Sequence, residues 1–393
     1  MRGAAGMTES LLLVLVSLPS LASLLHPILI ALARRKWNRS ARRVGAWEPA
    51  VSVVVPLAPT EEHGADNMRS VLRQGGLRDY QVVFVAEERD HASAALARAA
   101  AAAHPDVDTA IVYSGDPQGR LAKMHNLQAG LLLCRGEVVV FVDSDVGFLG
   151  HHDIRRLVRI LADDRVGLVT AAPVYRAPRT LGGYLLATMI NVDLWAYFSG
   201  LFLSGSMNVA NGALLAARGS FLAGIGDLDD LQQQLLNDTA LARKVRAAGR
   251  LVALSGVPVY VRTPSLTVSA WWRQVMRWHI GMRRVLPPVE YVLYGYHRSA
   301  MLLGTICFLL AGPSPIRPWF LAVPAGARLL SCAVLSLCWW RERRALPEVF
   351  LAVLTDLLSP GIWLLSWMQT TVQWRGRTYR IGKGGTTEEV HRA

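Results

Sequence analysis

Residues 138–146, Val-Val-Val-Phe-Val-Asp-Ser-Asp-Val, join an apolar run to two carboxylates, Asp143 and Asp145. A continuous apolar run of this length is typical of a strand that is buried on both faces of a sheet. Two carboxylates directly after such a strand lie at the carboxyl edge of the sheet, where open α/β folds bind ligands. Surface turns also contain Asp-Ser-Asp, so this segment alone leaves open a metal site and a surface turn.

Residues 48–265 alternate short β-branched runs with helical stretches. Strands are predicted at residues 51–56, 81–87, 109–114, 138–143 and 167–172. Helices are predicted between them, at residues 67–73, 91–103, 123–134 and 154–163. The alternation predicts an α/β fold, with a doubly wound and mostly parallel sheet covered by helices on both faces.

Long apolar segments lie at both ends of the chain, in which 52% of the residues are hydrophobic. Residues 11–33 are about as long as a bilayer requires, and the basic run 34–43 follows them. We interpret residues 1–36 as an uncleaved transmembrane anchor with a cytoplasmic basic flank. Residues 291–372 are predicted to be a second transmembrane region, in which Ser359-Pro-Gly361 breaks the last apolar segment into a re-entrant or interfacial hairpin.

The chain carries a net charge of +13, and no recognised nucleic-acid module accompanies that charge. Much of it flanks apolar segments, which suits an anionic leaflet and an anionic nucleotide. Residues 181–203 and the Trp- and Arg-rich residues 266–290 are predicted to lie at the membrane interface. For residues 181–203, which contain Asn191 and Asp193, a buried core helix or an extra span is the alternative.

Several polar residues match the demands of transfer from a nucleoside diphosphate sugar, which needs a cation for the departing diphosphate and a base for the acceptor. Asp143 and Asp145 offer the oxygen ligands that Mg²⁺ and Mn²⁺ prefer. Arg277 offers a planar fork to phosphate, with Gln274 and Trp278 at i and i+4 of one predicted helix. An arginine that reaches the headgroups from an amphipathic helix is the alternative for Arg277.

Asp238 begins a helical pattern that ends at Gly249. A carboxylate at the start of a helix is a candidate base, and it is also a common N-cap. The residue alone leaves both interpretations open.

Short motifs in a fixed order resemble those of family 2 glycosyltransferases. They are Val53-Val-Val-Pro56, Tyr80-Gln-Val-Val-Phe-Val-Ala-Glu-Glu88, Lys123-Met-His-Asn-Leu127, Asp143-Ser-Asp145, Asn237-Asp238 and Gln274-Val-Met-Arg-Trp278. The layout, from the N-terminal anchor to Trp374-Arg-Gly-Arg377, is similar to the ceramide glucosyltransferase branch and to bacterial relatives that act on hopanoid or other lipids. Each motif is weak by itself, but the order and spacing together are specific and cover nearly the whole chain.

The resemblance implies a GT-A-like fold and an inverting transfer from a UDP-sugar to a membrane lipid, with Mn²⁺ or Mg²⁺ as cofactor. The resemblance also implies a nucleotide-sugar site in this sequence. In that site Glu88 lies near the uracil or ribose, and Lys123 and Asn126 lie near the nucleotide. Asp143 and Asp145 lie at the metal and diphosphate. The first acidic position, usually Asp in the family, is Glu88 here, with Asp90 as an alternative.

The same resemblance makes Asp238 the general base and places Gln274, Arg277 and Trp278 at the diphosphate and acceptor. The position before the base is usually acidic in the family and is Asn237 here. By itself, the loss of that like charge lowers the pKa of Asp238.

We therefore expect a membrane-bound hexosyltransferase, located in the bacterial inner membrane with its catalytic domain in the cytoplasm. Residues 47–265 are its predicted GT-A catalytic domain, 266–290 an amphipathic interface helix, and 373–393 a basic cytoplasmic tail. A processive polysaccharide synthase is the alternative among enzymes, although the predicted spans are few for a polymer channel. A non-catalytic nucleotide-binding membrane scaffold is the alternative of another class.

Overall fold

The computed structural model describes residues 2–43, 47–58, 62–225, 229–339, 346–374 and 377–390. The strands are β1 Val51–Pro56, β2 Tyr80–Ala86, β3 Asp108–Tyr113, β4 Val138–Val142, β5 Val146–Gly147, β6 Val166–Ala171, β7 Pro173–Arg176, β8 Leu214–Arg218, β9 Leu251–Leu254, β10 Val259–Arg262, β11 Thr371–Trp374, β12 Arg377–Ile381 and β13 Thr387–Glu389.

The α-helices are α1 Arg2–Ser23, α2 His26–Arg43, α3 Gly64–Leu72, α4 Ala92–Ala102, α5 Ala122–Leu131, α6 Asp153–Val158, α7 Leu181–Thr188, α8 Trp195–Ser204, α9 Gly219–Gly224, α10 Asn237–Ala247, α11 Val268–Val285, α12 Pro288–Arg298, α13 Ala300–Leu310, α14 Trp319–Ala333 and α15 Leu346–Ser366. Short 3₁₀ turns span Arg159–Ala162, Asp229–Gln233 and Lys383–Gly385, and π-helical turns span Met189–Leu194 and Val334–Trp339.

The described residues form a seven-stranded central sheet in the order β3-β2-β1-β4-β8-β6-β9. Strands β1 to β4 run parallel to one another, β6 runs parallel to β9, and β8 runs antiparallel to β4 and β6. Strands β1, β4 and β6 are buried along their whole length, which agrees with their mostly apolar sequences. The predicted α/β fold with a mostly parallel sheet is confirmed, and the predicted elements of residues 51–172 agree with the structure within a few residues at each end.

Helix α5 packs directly on the central sheet. A Cβ on Gly130 would lie 2.4 Å from Val54 and 2.8 Å from Val85, so this close approach requires glycine. The packing fixes the beginning of α5, and with it Lys123 and Asn126, near the carboxyl edge of the sheet.

A second sheet extends that edge. Strand β10 pairs antiparallel with β5 and parallel with β7. Because β5 follows Asp145 directly, this sheet continues from the loop that carries the two predicted metal ligands.

Four helices in the described part of the chain are long and apolar enough to cross a membrane: Met7–Arg39, Leu181–Ser204, Trp319–Ser336 and Pro347–Ser366. They fall in the predicted anchor, the predicted interfacial segment and the predicted C-terminal region. The predicted hairpin at Ser359-Pro-Gly361 is wrong, because α15 continues through Pro360 to Ser366. Proline removes one backbone donor, and contacts of α15 with α7, α11 and α14 keep the rest of the helix in place.

Four buried charged side chains connect these helices. Asp193 lies in the π-helical turn between α7 and α8, Arg298 ends α12, Arg328 lies in α14 and Asp356 in α15. Asp193 is 2.7 Å from both Arg298 and Arg328, and Asp356 is 2.8 Å from Arg298 and 3.1 Å from Arg328. The two positive and two negative charges balance, which lets them remain among apolar helices.

Residues 373–393, predicted to be a tail, are folded where the structure describes them. Strands β11, β12 and β13 form an antiparallel sheet that packs against α11. The backbone N–H of Leu235 donates to Gly385 O at 3.0 Å, and Gln234 forms an antiparallel bridge with Thr386. The C-terminal strands are therefore attached to the segment that leads into α10.

Candidate active site

A cavity of about 320 Å³ opens at the carboxyl edge of the central sheet. Strands β1 and β4 are parallel and end there together, and antiparallel β8 brings the residues before it to the same edge. Charged, amide and aromatic side chains line the cavity: Lys123, Asp143, Asp145, Tyr175, Asn211, Asp238, Gln274, Arg277, Trp278 and Trp374. Seven of the predicted site residues are thus brought together, although they come from four separate segments of the sequence.

Lys123 pairs with Asp143 inside this cavity. Its Nζ lies 2.5 Å from Asp143 Oδ1 and 3.3 Å from the carbonyl oxygen of Gly212. A Cβ on Gly212 would lie 2.9 Å from Lys123 Nζ and 3.2 Å from Asp238 Oδ2. Because residue 212 is glycine, both the Lys123 ammonium and the Asp238 carboxylate fit against the loop before β8.

Asp238 lies in the first turn of α10 and is directed across the cavity toward that loop. Its Oδ2 accepts from the Gly212 N–H and its Oδ1 from the Thr239 N–H, both at 2.7 Å. Leu236 is the N-cap of the helix, so Asp238 does not have the N-cap position that its sequence left open.

Burial raises the pKa of Asp238, while the Lys123 ammonium and the two N–H donors oppose the rise. The sequence predicted a lowered pKa for Asp238 from one cause alone, the absence of a negative charge at Asn237. In the folded protein the desolvation of the carboxyl outweighs the favourable contacts.

Helix α11 supplies Gln274, Arg277 and Trp278 to the cavity. Its amphipathic pattern buries the opposite face, and Thr267 caps its beginning by accepting from Ala270 N–H at 3.1 Å. His279 follows Trp278, and its Nδ1 lies 3.0 Å from the Tyr291 hydroxyl of α12. Neighbouring helices therefore fix the orientation of the cavity face of α11.

Two of the predicted nucleotide-site residues do not line the cavity. Asn126 is 1% exposed, and it accepts from Ser114 Oγ at 2.6 Å, so it joins α5 to the end of β3. Glu88 is exposed in the turn after β2, 3.9 Å from His91. The nucleotide roles of both residues stay predictions.

The cavity wall also contains residues to which the sequence assigned no site role. Tyr175 of β7, Ile190 of the first π-helical turn and Trp374 of β11 all line it. Asn191 accepts from the Tyr175 N–H at 2.8 Å and donates to the Tyr175 carbonyl at 2.9 Å. A side-chain amide within an apolar segment needs buried hydrogen-bond partners. The position of Asn191 in such a segment was therefore the sequence signal that could have predicted a buried contact.

The two carboxylates Asp143 and Asp145 fit a Mg²⁺ or Mn²⁺ site. Mg²⁺ is usually bound by one or two carboxylates together with substrate phosphates and water. Among the residues that the structure describes, no group of three or more His, Cys, Asp or Glu side chains could hold a metal ion. Oxygens from a diphosphate and from water would therefore complete the coordination of an ion held there.

The model of glycosyl transferase family 21 matches residues 13–387. The chain belongs to this family. This match and the relatives that follow confirm the resemblance to the ceramide glucosyltransferase branch, and the family 2 label that the motifs suggested is broadly compatible with it.

Among relatives of this family 21 chain, ceramide glucosyltransferase 1 of Caenorhabditis elegans is 19% identical over 86% of the chain and 72% of its own length. Ceramide glucosyltransferase 3 of the same organism is 19% identical over 92% of the chain and 79% of its own length. A solved mannosyltransferase from Pyrobaculum calidifontis, in complex with GDP-Man and Mn²⁺, superposes with a TM-score of 0.53 at 18% identity. The superposition covers 90% of this chain and 98% of that one, and it supports the GT-A-like fold.

Proposed function

We propose that this protein transfers a hexose, with inversion, from a UDP-sugar to the hydroxyl of a ceramide-like or hopanoid-like lipid at the cytoplasmic face of a bacterial inner membrane. The observation that carries the proposal is the meeting of Asp238 with Lys123, Asp143 and Arg277 in one cavity. This set offers a base for the acceptor and cationic partners for the diphosphate. Membership of the family limits the chemistry to glycosyl transfer.

The donor diphosphate is assigned to the side of the cavity that contains Lys123 and Arg277. An ammonium and a guanidinium form charge-assisted hydrogen bonds to phosphate oxygens. Mn²⁺ or Mg²⁺, held by Asp143 and Asp145 and by the diphosphate itself, would neutralise the charge of the leaving group.

Asp238 is assigned the role of general base. It accepts the proton of the acceptor hydroxyl while the hydroxyl oxygen forms a bond to the anomeric carbon. The bond from that carbon to the diphosphate breaks, and its electron pair leaves with UDP. The raised pKa of Asp238, caused by burial, makes its carboxylate a stronger proton acceptor at neutral pH.

The acceptor is assigned to the wall formed by Tyr175, Ile190 and Trp278. Ile190 belongs to Leu181–Ser204, which is itself one of the candidate membrane helices and contacts α15 through α7. A lipid hydroxyl at the interface would therefore reach the base while the acyl or polycyclic part stays among apolar helices. In this assignment, residues 47–265 and 266–290 form the catalytic unit and the flanking segments hold it at the membrane.

Transfer is tested with purified protein in lipid nanodiscs, with Mn²⁺ or Mg²⁺. UDP-glucose, UDP-galactose and GDP-mannose are each combined with ceramide, a hopanoid polyol, diacylglycerol and polyprenyl phosphate, and products are identified by mass spectrometry. We expect one UDP-hexose to give a singly glycosylated lipid. A product from GDP-mannose alone would correct the donor, and a long polymer would favour a polysaccharide synthase.

The base is tested with Asp238→Asn, which should abolish transfer while UDP still binds. Asp230→Asn is the matched control, because Asp230 is an exposed carboxylate near α10 that pairs with Lys244 at 3.0 Å. Wild-type turnover in Asp238→Asn would remove this residue from the mechanism. Nucleotide binding by the wild-type protein without turnover on any acceptor would favour the non-catalytic scaffold.

A further inference from the structure

The C-terminal sheet of β11, β12 and β13 lies beside the cavity, far in sequence from the other residues that line it. Trp374, the last residue of β11, forms part of the cavity wall. The bridge between Gln234 and Thr386, and the hydrogen bond from Thr387 Oγ1 to Gln233 O at 3.0 Å, attach the sheet to the segment before Asp238. The sheet thus contacts both sides of the site, at α11 and at the beginning of α10.

The indole of Trp374 covers one face of Arg277. The guanidinium carbon of Arg277 lies 4.7 Å from the centre of the indole ring, and both side chains are partly buried. Tryptophan is the aromatic side chain that attracts a cation most strongly, and stacking also fixes the plane of the guanidinium. An arginine held in one plane presents its N–H groups to a diphosphate with less loss of side-chain freedom.

We propose that Trp374 is a positioning residue, which holds the Arg277 guanidinium flat for the diphosphate of the donor and makes the C-terminal sheet part of the active site. The proposal rests on the proposed function only in taking the ligand of Arg277 to be a diphosphate. It does not depend on the sugar, the base of the nucleotide or the acceptor.

The chain contains a second stacked pair that serves as a control. Arg283, nearly two turns further along α11, lies 5.8 Å from the ring centre of Trp367, which is 43% exposed. Neither residue lines the cavity. Removal of Trp367 therefore perturbs a similar contact on the same helix without touching the site.

The experiment measures the affinity of UDP, GDP and inorganic pyrophosphate for the full-length protein in nanodiscs, together with kcat and KM for the donor. Trp374→Ala is expected to weaken binding of the best diphosphate about tenfold and to lower kcat/KM by at least that factor. Trp374→Phe, which retains an aromatic face, should recover part of the loss, and Trp367→Ala should bind as the wild type does.

A double-variant cycle separates positioning from folding. In an Arg277→Lys background, which keeps the charge and loses the planar fork, Trp374→Phe should cause little further loss. Independent, multiplicative losses from Arg277→Lys and Trp374→Phe would overturn the proposal, as would unchanged diphosphate affinity in Trp374→Ala or absence of diphosphate binding by the wild type. If Trp374→Ala does not fold, Trp374→Phe and the double-variant cycle still test the role of Trp374.

The two proposals fail in different ways. Diphosphate binding that depends on Trp374, without hexose transfer to any acceptor, would refute the proposed function and support the role of Trp374. Transfer that proceeds normally in the Trp374 variants would refute that role and leave the proposed function standing.

Discussion

Lys123 Nζ lies 2.5 Å from Asp143 Oδ1, so one of the two predicted metal ligands already has a positively charged partner from the protein. A divalent ion near Asp143 is repelled by this ammonium until the negative charge of a diphosphate balances both cations. We therefore expect this contact to couple binding of the proposed metal to binding of the proposed donor.

Replacement of Lys123 by Gln should separate the two binding events. Without nucleotide, we expect the affinity for Mn²⁺ to rise about tenfold, which corresponds to about 1.4 kcal/mol, because the competing charge is gone. UDP affinity should fall, because a phosphate partner is also lost. Calorimetric titration with Mn²⁺ alone and with UDP checks both signs. Unchanged Mn²⁺ affinity in Lys123→Gln would show that Asp143 does not bind the ion.

The pH dependence of transfer should report the environment of Asp238. Burial raises its pKa, so the base becomes protonated at a higher pH than an ordinary Asp, whose pKa is about 3.9. Activity should therefore disappear on acidification through a pKa above that value. The Lys123 ammonium lowers the pKa of Asp238. In Lys123→Gln, the acidic limb of the pH profile of the residual activity should therefore move to a still higher pH. A limb that does not move in this variant would contradict the assignment of Asp238.

The central fold was predictable because its signals are local. The apolar sequences of β1 and β4 show that both faces are buried, and the loop after β4 carries its carboxylates with it. The order of the motifs then predicted seven of the residues that meet in the cavity. Parallel strands that end at one edge bring such loops together regardless of the details of packing.

Other parts of the site depend on contacts that the sequence does not encode locally. Strands β11 and β12 have strand-like sequences, yet the place of their sheet beside the site depends on pairing with residues about 150 positions earlier, such as Gln234 with Thr386. Asn126 matches a motif for a nucleotide site, but its side chain is buried between α5 and β3. The direction of the pKa shift of Asp238 also depends on burial, which is a property of the whole fold.

Gly212→Ala should reduce activity with little change in stability. The new Cβ would lie 2.9 Å from Lys123 Nζ and 3.2 Å from Asp238 Oδ2, so both groups must move. These displacements are a few tenths of an ångström, smaller than the shift of about 1 Å that costs up to about 10²-fold in rate, and we expect kcat to fall by about tenfold. Gly224→Ala is the control, because in the described part of the chain no atom outside its sequence neighbours and its own helix backbone lies within 4 Å of its added Cβ. Thermal unfolding and steady-state kinetics of both variants check this, and normal kcat in Gly212→Ala would contradict it.

Asp193→Asn should destabilise the protein through a charged cluster that does not line the cavity. Asp193 accepts charge-assisted hydrogen bonds from Arg298 at 2.7 Å and from Arg328 at 2.7 and 2.8 Å, so its neutralisation leaves buried positive charge uncompensated. Loss of one partner of a buried pair costs about 3–5 kcal/mol. Thermal unfolding in one detergent measures the change, and Asp66→Asn, from an exposed pair with Arg69 at 2.9 Å, should change the midpoint much less.

The double variant Asp193→Asn/Arg328→Gln distinguishes charge balance from loss of specific hydrogen bonds. It removes one negative and one positive charge and leaves Arg298 paired with Asp356 at 2.8 Å. If uncompensated charge dominates the cost, the double variant should be more stable than Asp193→Asn alone. A double variant that is less stable than either single variant would show that the hydrogen bonds themselves hold the segment Leu181–Ser204 to α14. In that case Ile190 would shift with the segment, and the KM for the lipid acceptor should rise together with the loss of stability.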